Sequence, residues 1–320
     1  MNTPPQHALP PTRNGVGPSC VGLPSNDSGD WATITDFLVQ RFPAIPRETW
    51  LQRMHEGHVV DEHGVPVTPE RAYQGHLRVY YFRDLVNEPR IPFDEVLLFR
   101  DEHLIVVDKP HFLPVTPSGR YLQETLLVRL KRQLGIDTLQ PIHRIDMDTA
   151  GVVVFSIQPT TRDAYHALFR RHEVTKQYEA IAPWRADLTF PCVRRSRIVA
   201  GTPFFRLCEA QGEPNTETRI EVIEVSGSQA RYLLTPVTGR KHQLRVQMAA
   251  LGLPIVNDRF YPNLVDVPDN DFSRPLQLLA RSIAFVDPVT RRQRKFESAH
   301  RLTLGVAAVG PSFKPGPVSR

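Results

Sequence analysis

The stretch Pro141–Ile142–His143–Arg144–Ile145–Asp146–Met147–Asp148–Thr149–Ala150–Gly151, followed by Val152–Val153–Val154–Phe155, sets a charged segment directly against an apolar one. The apolar run is short, β-branched and opens on a glycine, so Gly151–Ser156 reads as a buried strand. Charges beside such a strand are costly unless they serve each other or a ligand. If the preceding segment is extended, alternate residues share a face and Arg144, Asp146 and Asp148 point the same way. A guanidinium beside Asp146 would keep that carboxylate ionised, and an ionised aspartate in a dry pocket can act as a nucleophile. The plainer alternative is an ion pair that only fixes a loop.

Outward from this stretch, three further places carry chemistry. Thr235 to Asp258 contains Thr238–Gly239, a turn, then Arg240, Lys241, His242 and Gln243 at the start of an expected helix over 242–251. Three cations there oppose the helix dipole, a rule broken mostly at functional sites, and with the free amides they would suit a phosphate. Arg245 lies one turn beyond Lys241 and is expected on the same side, with Leu244, Met248 and Leu251 on the buried side. An exposed basic helix is the plain reading. Lys109 ends an apolar strand, within reach of a phosphate or carboxylate or simply solvated. Lys176 and Tyr178 share one face of a strand that continues to Ala182. A tyrosine there can stack on a base and handle a proton, or be core.

The surrounding pattern is expected to be α+β. Strands over 96–99, 104–107, 176–182, 219–225 and 230–236 outnumber helices over 122–134 and 161–171 and tend to follow one another, which favours a largely antiparallel sheet. Ahead of it, residues 31–88 read as a small module of two helices and short strands, and 89–95 as a linker. Residues 1–30 and 306–320 are rich in Pro, Gly and small polar residues, so flexible tails are expected.

The formal net charge of +5 suits a polyanionic partner without proving one. The excess is local: residues 286–320 hold seven Arg or Lys and two acids, and the remainder is neutral. Residues 31–90 hold seven basic and eight acidic side chains, a weak phosphate surface. Three cysteines without paired spacing argue against a disulfide framework or zinc ribbon. His55, His58 and His63 sit in the small N-terminal module with no ligand set arranged around them, so no metal is expected. The N-terminus has no apolar signal-peptide core, and no run approaches the ~20 apolar residues of a membrane helix. A cytoplasmic protein with no membrane contact is expected.

Taken in order, these segments resemble the RluA-type pseudouridine synthases over roughly 96–304. His143–Arg144–Ile145–Asp146 with Thr149–Ala150–Gly151 is similar to the motif that holds the family's catalytic aspartate. Lys176–Gln177–Tyr178 is similar to its tyrosine strand, and Thr238 to Arg245 with Ala250–Leu251–Gly252 to its third signature. Leu104 to Val115, with Lys109–Pro110, resembles its first strand. The module over 31–88 loosely resembles the αL-motif RNA-binding type.

The resemblance implies isomerisation of uridine to pseudouridine in RNA, without metal or cofactor. Asp146 would be the nucleophile, Tyr178 would stack on the uracil and handle a proton, and Arg245 would pair with Asp146. Arg144 would enter the space left by the flipped nucleotide. Lys109, His143, Thr149, Arg240, Lys241, His242 and Gln243 are the further candidates for RNA contact. Ribosomal RNA is expected first and transfer RNA second, with a monomeric enzyme. Phe112, Lys241, Gln247 and Asn257 depart from the usual pattern, where Gly, Thr, His and Gly are common. A non-catalytic RNA-binding or ribosome-assembly factor on the same fold is the alternative. A metal-dependent phosphodiesterase using Asp146, Asp148 and His143 is a further one, and it would leave Tyr178 and Arg245 unexplained.

Overall fold

A computed structural model describes residues 12–83, 88–268 and 270–305. The expected tail over 306–320 and the first eleven residues of the other lie outside them. The chain forms two compact units, one of residues up to Glu88 together with Thr116–Asp137, the other of Pro89–Val115 and Thr138 onward.

The first unit holds β1 (Ser19–Gly22), α1 (Ile34–Arg41), α2 (Arg47–His55), β2 (Val59–Asp61), β3 (Arg78–Tyr81) and α3 (Leu126–Leu134). Its antiparallel sheet runs β1-β3-β2. Helix α1 starts at a reciprocal cap: Thr33 Oγ1 accepts from the Asp36 amide at 3.1 Å, and Asp36 accepts from the Thr33 amide at 3.0 Å. Ile34, Phe37, Leu38, Trp50 and Met54 then pack on Val59, Val79 and Tyr81.

Two expectations differ here. Residues 19–22 are not tail but a strand paired to β3, and Val21 and Leu23 belong to the unit's core. Val16 packs on Leu122 and Val128. A Pro- and Gly-rich composition concealed the segment because its few apolar residues gain a partner only through non-local pairing. Helix α3, expected in the larger domain, belongs to the first unit. Glu88 accepts from the amides of Leu122, Gln123 and Glu124 at 2.7, 2.9 and 2.7 Å, satisfying donors just ahead of that helix.

The second unit holds β4 (Val96–Arg100), β5 (Leu104–Lys109), β6 (Gln140–Pro141), β7 (Ala150–Ser156), α4 (Arg162–Arg170) and β8 (Thr175–Pro183). It continues with β9 (Cys192–Ala200), β10 (Leu207–Ala210), β11 (Thr216–Ser226), β12 (Gln229–Pro236), α5 (Gln243–Ala250), β13 (Leu278–Val286) and β14 (Gln293–Glu297). The strand order is β10-β9-β11-β12-β8-β13-β7-β5-β4, with β14 on β13 and β6 on β7. Among these pairings only β7–β13 is parallel, so the expected α+β architecture with a largely antiparallel sheet is present.

Strand β7, apolar from Ala150 to Phe155, is buried along its whole length, as its sequence demands. Leu104, Val106, Val152 and Val154 pack against Tyr165 and Leu168 of α4. Leu244 and Met248 of α5 pack on Ala180, Ile220, Tyr232 and Leu234 from the other part of the sheet. Where β7 meets β13, Gly151 has φ +116° and faces Ala280; a Cβ there would lie 2.2 Å from the Ala280 carbonyl oxygen. Only glycine lets the two backbones close at this point, and it fixes where the charged loop before β7 emerges.

Candidate active site

The segment before β7 is a turn, not an extended strand: the Thr149 amide donates to the Asp146 carbonyl at 3.1 Å. The turn over 146–149 takes Asp148 out of the alternation expected with Arg144 and Asp146. Arg144 is exposed and has no ion pair among the described residues, Asp146 is half-buried, and Asp148 is buried. The turn is held from several sides. Lys109 Nζ donates to the carbonyls of Pro110 and Met147 at 2.9 and 3.1 Å. His111 Nδ1 lies 2.7 Å from the Asp148 carbonyl, which can only accept, so that nitrogen carries the hydrogen.

The guanidinium beside Asp146 is that of Arg245. Its Nη1 lies 3.2 Å from Asp146 Oδ2, while Nε and Nη2 make a bidentate pair with Asp258 at 2.8 and 2.7 Å. Asp148 stands 3.8 Å away and also pairs with Arg259 at 3.3 Å. Arg245 is 1% exposed and lies over the rings of Phe260 and Tyr261 at 4.9 and 5.6 Å. Asp258 also accepts from the amides of Phe260 and Tyr261 at 2.8 and 3.2 Å, so it is spoken for on every side and holds Arg245 in place.

The electrostatics follow from this packing. Burial works against the Arg245 charge, but the hydrogen bonds and charge of Asp258, then Asp146 and Asp148, outweigh it and raise its pKa. Burial brings Lys109 down to about 7 against the pull of Asp148 and Asp146. Its two carbonyl acceptors match the two hydrogens of a neutral amine. Burial, followed by the Asp146 charge, lifts the Tyr178 hydroxyl, so the phenol stays protonated and lies within the field of that carboxylate.

His242 is the fourth neighbour. It takes φ +54° just before α5, its Nδ1 lies 2.9 Å from the Tyr261 hydroxyl, and its Nε2 lies 3.9 Å from Asp146 Oδ1. Burial holds it at about 4, a neutral ring.

The structure thus brings Asp146, Tyr178, Arg245, Lys109, Thr149 and His242 to one place. It sends other candidates elsewhere. His143 stacks on Phe169 at 5.2 Å and accepts from the Val154 amide at 3.2 Å, which makes it part of the packing of β7. Gln243 turns inward: its Oε1 accepts from Thr238 Oγ1 at 2.7 Å and the Arg240 amide at 3.1 Å, and its Nε2 donates to Thr218 at 2.9 Å. That occupies an amide expected to be free for phosphate.

Arg240 and Lys241 are exposed, whereas Arg245 is buried. The expected shared side for Lys241 and Arg245 fails because α5 begins only at Gln243, after the backbone reversal at His242. Gln247, which departs from the histidine common at that place in the family, accepts from Thr218 at 2.7 Å and donates to Ser196 and Thr216, both at 3.1 Å.

Sequence reasoning missed Asp258, Asp148 as an Arg259 partner, and His111. The available signal was Asn257: at φ +63° it adopts the left-handed conformation that glycine and asparagine tolerate best, and it turns the chain so that Asp258 meets Arg245. Among the described residues no group of three or more His, Cys, Asp or Glu side chains is arranged to hold a metal.

A buried arginine clamped between a reachable aspartate and a fixed one, beside a neutral tyrosine on an α+β sheet, defines a site for carboxylate chemistry. The profile described as RNA pseudouridylate synthase matches residues 103–250. An uncharacterized RNA pseudouridine synthase of Synechocystis is 30% identical over 232 residues, covering 71% of this chain and 78% of that one. The dual-specificity RNA pseudouridine synthase RluA of Escherichia coli K12 is 37% identical over 183 residues, covering 55% of this chain and 80% of its own. The solved human RNA pseudouridylate synthase domain containing 1 aligns with a TM-score of 0.54 and 22% identity, covering 67% of this chain and 86% of that one, a likeness of fold. The chain belongs to the RluA-type RNA pseudouridine synthase family. It is an isomerase whose substrate is RNA.

Proposed function

We propose that Asp146 is the nucleophile that converts one specific uridine to pseudouridine, in ribosomal RNA first and transfer RNA second. The supporting observation is the geometry of Asp146 itself. Its side chain is 24% exposed, enough to meet a substrate, while its other side is tied to an arginine that Asp258 holds fixed. A uracil stacked in RNA is out of reach, so it is everted into the cleft, most cheaply from a loop or bulge.

Asp146 then attacks the ribose anomeric carbon or the ring. The glycosidic bond breaks, the held base rotates, and the ring carbon bonds to the sugar. In sugar attack that new bond displaces Asp146 from the anomeric carbon, and in ring attack loss of the carbon's proton expels it from the ring. Either way the freed Asp146 carboxylate takes the proton and passes it to solvent, while Tyr178, a neutral phenol, holds the base by stacking. Arg245 keeps the carboxylate oriented. Arg144, exposed and without an ion pair among the described residues, is free to enter the space the base vacates. Arg240 and Lys241 supply exposed cations for phosphates. The preference for ribosomal RNA rests on the resemblance of the 31–88 module to the αL type. We place the enzyme in the cytoplasm as a monomer; among the described residues no helix is long and apolar enough to cross a membrane.

The test is Asp146→Asn assayed by mapping pseudouridine across total RNA from cells that lack or carry the protein. The variant is expected to fold, to bind RNA and to lose the modification on the order of 10³-fold or more. Wild-type modification by Asp146→Asn would remove the nucleophile assignment. Mapping that shows a tRNA site and no ribosomal one would reverse the substrate order.

A further inference from the structure

The hairpin of β9 and β10 carries a feature the reaction above does not use. At its tip, residues 201–206, Phe204 is 90% exposed, the most exposed of the large apolar side chains among the described residues. A phenylalanine this far into water buries little apolar surface for the fold. It is also the outer end of a row of rings. Phe204 lies 5.5 Å from Phe205, Phe205 lies 5.4 Å from Phe260, and Phe260 lies 5.6 Å from His242, which faces Asp146. Arg206 anchors the tip by donating to the Pro262 carbonyl at 2.7 Å.

The ground beside the hairpin is cationic. Arg240 donates through Nε to the Asn215 carbonyl at 3.3 Å, and the Asn215 side chain bonds Ile198 of β9 at 2.9 and 3.1 Å. Arg197, on the same strand, and Lys241 are exposed and have no ion pair among the described residues. An aromatic face with flanking unpaired cations is the combination that grips single-stranded nucleic acid, the rings taking bases and the cations taking phosphates.

From this juxtaposition we infer that Phe204 is a stacking wedge for an unpaired base of the RNA substrate, a nucleotide flanking the everted uridine and outside the uracil pocket. The inference rests on the reading of the Asp146 cleft as the site of uridine isomerisation. The wedge gives affinity and selects substrates with an unpaired neighbour. It takes no part in bond making, because the reacting atoms lie beyond Phe205, Phe260 and His242.

The test measures binding of a fluorescein-labelled RNA hairpin with a uridine-containing loop to wild type, Phe204→Ala, Phe204→Leu and Phe204→Trp. Since Phe204 touches little of the fold, Phe204→Ala should melt like wild type. It should bind about 5- to 150-fold more weakly, the worth of one stacked base. Phe204→Trp should restore affinity, and its fluorescence should be quenched by the RNA beyond any change in the wild-type protein, whose own tryptophans are Trp31, Trp50 and Trp184. Phe204→Leu should not restore it. Unchanged affinity in Phe204→Ala, or full rescue by Phe204→Leu, overturns the wedge. Wild type that makes no pseudouridine in any cellular RNA sinks instead the reading on which it rests.

Discussion

Asp258 is the residue that a reading from Asp146 outward does not find, yet it makes both of the shortest contacts to Arg245. Removing one partner of a buried ion pair strands the other, at a cost on the order of 3–5 kcal/mol. Asp258→Asn is therefore expected to lower the melting temperature markedly and to reduce turnover more than RNA affinity, as measured by thermal melts and single-turnover rates. An unchanged melt would mean that Asp146 alone can hold the guanidinium.

Lys109 supports a second expectation. Its folded pKa of about 7 lies below the ordinary 10.5, so between those values the unfolded chain binds the extra proton and stability rises with pH. Lys109→Met removes that rise, read from denaturant midpoints at pH 7 and 9. Spacing alone pointed to Arg144; the pairing of Arg245 with Asp146 was legible only through the family resemblance. Their true geometry was not, because the turn at Thr149 and the reversal at His242 are set by hydrogen bonds between distant segments.

At the level of elements, the strands whose apolar residues form an unbroken or alternating run were readable: β5, β7, β8 and β12. Strands β9 and β14, with arginines and lysine among their residues, were not. Each has one solvent side, and their pairing partners lie far along the chain. The glycine at 151 was legible as a motif letter but not as the close approach of β7 to β13. Gly151→Ala must push those backbones apart. It is expected to destabilise by several kcal/mol, on the order of a severe core lesion, and to scatter the loop that carries Asp146; a wild-type melt would contradict the packing account.

His143 ties the same loop to β7. His143→Phe keeps a ring on Phe169 but leaves the Val154 amide without its acceptor, costing about 1–3 kcal/mol. It also changes the acid response. Burial holds the ring's pKa at about 3 against an ordinary 6.5, so the folded protein keeps it neutral. As pH falls below 6.5 the unfolded chain takes up the proton first and stability declines toward pH 3. Wild type should lose melting temperature between pH 7 and 5, and the variant, less stable at pH 7, should lose less.

For the molecule as a whole, composition misplaced the boundary of the first unit. A chain beginning at Leu23 would lack β1, uncover the β3 edge and remove Val16 and Val21 from their packing. Hydrogen exchange at β3 amides is expected to rise in such a variant while β7 and β5 keep their protection, since these belong to a separate unit. The larger unit was legible in class, because strands without intervening helices can scarcely pair in parallel. The one parallel junction among its described strands was not, and that junction is where the loop carrying Asp146 begins.

The β9–β10 hairpin also bears Cys208, an exposed thiol on the strand that leads away from the Phe204 tip. With Cys20, the other exposed thiol, changed to serine, a maleimide dye would attach chiefly at Cys208. Such a reporter rides on the arm proposed to meet incoming nucleic acid, so stopped-flow emission would clock docking apart from the later isomerisation.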